Sequence, residues 1–186
     1  MTPLDLLAPT YEQMLAALSR WLEKAEAERP EDPDAILAER LAPDMFPLST
    51  QVRFACVQAQ EGMCRLAGKP FPPSVAELLQ EGRNAEEHPG SIADAKARIA
   101  DTLAFVREAQ KEAHAEDQTL IAHEIPIGIV FDFTAEQYAR DWAIGQFYFH
   151  VTSAYAILRH SGITLGKGDY VAHLLPFARP GTMPVR

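Results

Sequence analysis

The chain has 186 residues, 26 acidic and 17 basic, giving a formal charge of −9. That length suits one domain with a full core, and 47% apolar with 23% charged residues is a globular composition, not a disordered one. The acidic balance argues against nucleic acid or an anionic membrane surface as partner; no apolar run of about 18 residues is present to span a bilayer; and two cysteines do not make a disulfide framework. With no basic n-region at the start, the expectation is a cytoplasmic protein.

The spacing predicts a mostly helical chain. Thr10 and Gln13 read as a capping box. Behind them Tyr11, Met14, Leu15, Leu18, Trp21, Leu22 and Ala25 recur at helical steps, and Pro30 ends a first helix at about 11–29. The stretch from Pro30 to Pro47 reads as a connection with one short turn after Pro33. A second helix is expected from Leu48 to Ala67, with Gly68 as its C′ residue. Ser74 and Glu77 then read as a capping box opening a short helix, and Gly82 to Gly90 as polar loop. Ser91 and Asp94 open a third long helix that runs to about Lys111.

Thr119 to Phe133 is β-like but interrupted by Pro126 and Gly128, so a short irregular hairpin or an extended crossover is expected. Thr134 and Gln137 cap a fourth long helix reaching about His160. That helix is apolar almost all round, which predicts burial against the core and against a second surface such as a dimer partner. The tail from Gly166 is expected to be mostly irregular. The result is an all-α four-helix bundle with a long crossover before the last helix, in one domain over 1–186 with its core at about 10–165.

Cys56 and Cys64 lie eight apart on one helix, roughly 12 Å along its axis, which is too far for a disulfide. Cys56 reads as a buried small hydrophobe. Gly162 to Lys167 is not a phosphate loop, because its spacing is one short, Gly168 replaces the hydroxyl residue and a helix precedes it. Gly162 reads instead as a helix C-cap, and Lys167 and Asp169 as a local pair. His88 and His114 lie among charges and read as solvated; His123 falls in the crossover; His160 suits a helix C-terminus. His150 stands apart, mid-helix between Phe149 and Val151, where a buried imidazole needs polar partners. Gln146 is one turn before it, while Gln51 and Gln58 share a face of the second helix. Thr152, Tyr148 and Tyr155 lie near it on its own helix. These residues could form a polar site inside the bundle.

Two stretches carry a resemblance. Arg40-Leu-Ala-Pro-Asp-Met-Phe-Pro-Leu48, and Phe149-His-Val-Thr-Ser-Ala-Tyr-Ala-Ile-Leu-Arg-His-Ser-Gly162 with Leu165-Gly-Lys-Gly-Asp-Tyr170, resemble the DUF1993 family over nearly the whole chain. The family has no established function, and its fold looks like the DinB/YfiT-like bundles, which are commonly dimeric. The resemblance implies a homodimer. Many relatives in that superfamily resemble metal-dependent thiol transferases or hydrolases holding a divalent metal, such as zinc or nickel, on three histidines. By that pattern His150 matches the second ligand of the last helix, Gln146 stands in the first position, and Gln51 is near the third. One of three imidazoles remains, so the expectation is a degenerate, metal-free site, since amide oxygens are poor ligands for zinc or nickel.

Three readings stay open. The first is a small-molecule or divergent enzyme site, with His150 as acid, base or binding group, oriented by Gln146 and helped by Tyr155. The second is a non-catalytic dimeric bundle with His150 sealed in the core. The third is a metalloenzyme completed by His123 or His160. Arg159, Lys167, Asp169 and Tyr170 serve either a site or the end of the last helix.

Overall fold

The computed structural model describes residues 2–111 and 120–182; His114 and Thr119, named above, lie outside the described residues. Four long helices, α1 (Pro3–Glu28), α2 (Leu48–Ala67), α4 (Ile92–Ala109) and α6 (Ile144–His160), form the bundle. A shorter α3 (Pro73–Arg83) packs along α2. Helix α2 is the central element and meets α6, α3 and α4, while α1 lies against α4, α2 and α6.

The first helix starts at Pro3, well before the expected position. Thr2 is its N-cap and Asp5 closes the reciprocal box, with Pro3 at the first helical position, where its missing N–H costs nothing. Pro9 sits inside the helix. Thr10 is not a cap: its hydroxyl donates to the Leu6 carbonyl at 2.7 Å, a mid-helix bond back to the previous turn.

Helix α2 has the predicted bounds. Gly68 ends it at φ +64°, and the Lys69 amide closes onto the Cys64 carbonyl at 2.9 Å. Cys56 and Cys64 are buried free thiols, and burial pushes the Cys56 thiol up to about 12. The Ser74–Glu77 box does not form. Pro72 caps α3, and the Ser74 hydroxyl donates to Gln60 Oε1 at 2.6 Å instead. Gln60 Nε2 in turn donates to Thr102 Oγ1 at 3.0 Å, which ties α2, α3 and α4 together through buried polar groups. Gly82 belongs to α3, not to the loop, because Phe54 lies against its bare backbone. Ser91 and Asp94 cap α4 as expected.

The crossover is a hairpin of β1 (Leu120–Glu124) and β2 (Val130–Thr134), antiparallel with His123 opposite Phe131. Gly128 takes φ +83° in its turn. Ile121 and His123 face inward, and the His123 ring rests on Trp142 at 4.4 Å and Tyr138 at 5.6 Å. From the Thr134–Gln137 box the chain runs helically through α5 (Ala135–Gln137), a π-helical turn (Tyr138–Ala143) and α6. Helix α6 buries Phe147, Val151, Ala154, Ile157 and Leu158.

The tail is more ordered than its prolines suggest. α7 (Lys167–Tyr170) and a 3₁₀ segment (Ala172–Phe177) follow Gly162, which caps α6 at φ +88°. Asp169 pairs with the Gly166 amide at 2.7 Å and with Lys24 at 3.6 Å, not with Lys167. Tyr170 stacks on Trp21 at 5.5 Å, and Arg159 donates to the Leu165 carbonyl. Arg159, Asp169 and Tyr170 thus lock the end of α6 onto α1.

One close approach yields a prediction. A Cβ at Gly62 would lie 2.3 Å from the Tyr11 hydroxyl, and Tyr11 is fully buried edge-on to Phe147 at 4.7 Å. Gly62→Ala is expected to cost about 1–3 kcal/mol by overpacking. The Tyr11 hydroxyl has no hydrogen-bond partner among the described residues, so adding Tyr11→Phe should restore most of that loss. Urea denaturation of the two variants checks both statements.

Candidate functional site

Pro47 caps α2 and fixes the entry of the chain, placing Gln51 in the first turn with its backbone amide on the Pro47 carbonyl. The Gln51 side chain is 2% exposed and bridges two elements. Its Nε2 donates to the Phe46 carbonyl at 3.2 Å, and its Oε1 lies 2.9 Å from His150 Nδ1 on α6. An amide oxygen only accepts, so Nδ1 carries the proton. Burial lowers the His150 pKa to about 4, so the ring is neutral near pH 7 and Nε2 keeps a free lone pair. Nε2 makes no hydrogen bond to any described residue.

His150 is 8% exposed and lines a groove of about 510 Å³. Its apolar wall includes Phe46, Phe54 and Phe149; Gln51, Gln58, Asp44 and Arg83 are its other polar members. Phe54 and Phe149 meet the imidazole edge-on at 5.4 and 5.3 Å. The imidazole is therefore neither sealed in the core nor freely solvated.

The groove brings together His150, Gln51 and Gln58 from among the sequence-derived residues. Gln146 is half-buried one turn before His150 and does not line the groove. Thr152 instead bonds the Tyr170 hydroxyl at 3.2 Å, and Tyr155 packs on Trp21 at 5.3 Å, both in the cluster that seats α7. His123 belongs to the hairpin's aromatic cluster and His160 is exposed in the last turn of α6, so neither joins His150. Among the described residues no three His, Cys, Asp or Glu side chains are grouped to hold a metal. The donors lining the groove are one imidazole, two amides and the exposed Asp44 carboxylate, and the Gln51 oxygen is already held by Nδ1–H, so this is not the set of several imidazoles that zinc or nickel favours.

Sequence reasoning missed the aromatic wall and the rim charges. Asp44 and Phe46 sit in the quoted Arg40–Leu48 stretch, a signal that was present but could not be assigned. Phe54 was not singled out, because it falls off the apolar seam of the second helix. Arg83 had no signal, because the end of α3 read as loop.

The sequence matches the family described as a domain of unknown function, DUF1993, over residues 4–171. The chain belongs to that family. A solved structure of a DinB family member protein from Shewanella denitrificans is similar to it at a TM-score of 0.71 and 31% identity, over 97% of this chain and 95% of that one. No curated protein sequence matches.

Proposed function

We propose that this DUF1993 protein binds a small, largely apolar molecule in the groove beside His150, which accepts a hydrogen bond from it through Nε2. The carrying observation is a buried, neutral imidazole whose proton is fixed on one nitrogen by Gln51 and whose other nitrogen has no hydrogen-bond partner among the described residues. A concave, mostly apolar site with few converging polar groups is the usual form of a small-molecule site. The low basicity supports a binding role for His150 over proton abstraction, since a general base works best with a pKa near the operating pH.

The test is a ligand-observed NMR screen of ring-sized fragments bearing an N–H or O–H donor. Hits should bind wild type and weaken at least about tenfold in His150→Ala. Hits unaffected by that change, or an absence of hits, would overturn the proposal.

A second reading rests on Phe149, 59% exposed on α6, and Phe46, 48% exposed, which line the same groove. These rings favour pairing with a second copy through this face; a monomeric mass in sedimentation equilibrium would overturn it.

A further inference from the structure

The rim of the groove carries two unmatched charges of opposite sign. Arg83 is exposed at the end of α3, and Asp44 is exposed in the loop before α2. Neither makes an ion pair or hydrogen bond through its side chain with a described residue, nor do they pair with each other.

Aromatic rings line the same groove. Phe46 and Phe54 meet edge-on at 5.7 Å, and Phe149 continues the wall on the α6 side. Offset and edge-to-face ring contacts favour a flat aromatic body here over a flexible alkyl chain. His150 Nε2, deeper in the groove, asks for a donor on that body. A simple carboxylate would meet Arg83 but bring its charge toward Asp44. A simple amine would do the reverse. A neutral molecule leaves both rim charges unmatched, and a molecule with both charges can meet each of them without repulsion.

We infer that the groove selects a zwitterionic small molecule with an aromatic, donor-bearing body, the chemistry of an aromatic amino acid whose ring carries an N–H or O–H. This rests on the groove being the binding site proposed above, and it names the class of ligand.

Three indoles of matched body test it: L-tryptophan, tryptamine, which lacks the carboxylate, and indole-3-propionate, which lacks the ammonium. Calorimetry at low salt should give L-tryptophan at least about tenfold tighter than either. Arg83→Gln should bring L-tryptophan down to tryptamine, and Asp44→Asn should bring it down to indole-3-propionate. Both residues are exposed, so neither change should disturb the fold. If one of the singly charged indoles binds as tightly as L-tryptophan, the ligand class is overturned. The groove itself then still stands where His150→Ala abolishes that binding. If none of the three binds at about 1 mM while donor-bearing neutral fragments do, the class is overturned and the site is kept.

Discussion

Trp21→Ala is expected to cost about 3–5 kcal/mol, the range for truncating a large buried aromatic. Trp21 is 1% exposed and holds three elements at once. From α1 its ring stacks on Tyr170 of α7 at 5.5 Å and meets Tyr155 of α6 at 5.3 Å, and its Nε1–H donates to the Asp169 carbonyl at 3.3 Å. Alanine removes the ring volume and the hydrogen bond together, and α7 loses its seat. Domains of this size have about 5–15 kcal/mol in hand, so the variant should retain a fold with a melting temperature lower by on the order of 10 °C. Tyr170→Leu should cost less, because Tyr170 is only half-buried and its removal leaves Trp21 packed against α6. Urea denaturation reads both. A Trp21→Ala loss below about 1 kcal/mol would mean that the tail is not docked on the bundle.

The second large effect is a pH dependence that belongs to His150. Its pKa falls from 6.5 to about 4 on folding, through desolvation by burial. Between those values the unfolded chain holds the proton and the folded chain does not. Stability therefore rises with pH across that window, and it is lost as pH falls from about 6.5 toward 4. Taking the protein from pH 7.5 to 4.5 should remove about 2–3 kcal/mol through this residue alone. His150→Leu leaves Gln51 Oε1 without a donor and is less stable near pH 7. Its loss between the two pH values should nevertheless be smaller than the wild-type loss by that amount. Urea denaturation of both proteins at both pH values isolates the term, since the other titrating groups are shared. Equal losses would contradict the buried, neutral state of the ring.

Much of the fold was legible because local chemistry and tertiary packing agree. The Leu48–Ala67 helix ends at a glycine that takes φ +64°, and the Ser91–Asp94 and Thr134–Gln137 boxes form as written. Where the wrong cap was read, the boundary moved. Thr10 with Gln13 read as the start of the first helix, yet the buried Leu4, Leu7 and Ala8 belong to it as well, and it begins at Pro3 behind the Thr2–Asp5 box. Ser74 looked like a cap until its hydroxyl found Gln60 on α2, a partner 14 residues away.

The site was half legible. His150 and Gln51 stood out because polar groups on apolar helices must find each other, and they meet at 2.9 Å. Periodicity gives the face of a helix but not what lies across a groove, so Arg83, Asp44 and Phe46 could not be joined to them. Thr152 and Tyr155 share α6 with His150 but serve the docking of α7, a division that only the tail's placement reveals.

The most direct test of the site is the protonation of one ring. Nitrogen-15 imidazole spectra of the uniformly labelled protein, with the His150 signals identified by their loss in His150→Gln, should be followed from pH 8 to pH 5. The predicted result is a neutral Nδ1–H ring throughout, with its bare Nε2 signal moving when a donor-bearing ligand is added. A ring that is charged at pH 6, or one that carries its proton on Nε2, would contradict the Gln51-anchored acceptor on which the proposed binding depends.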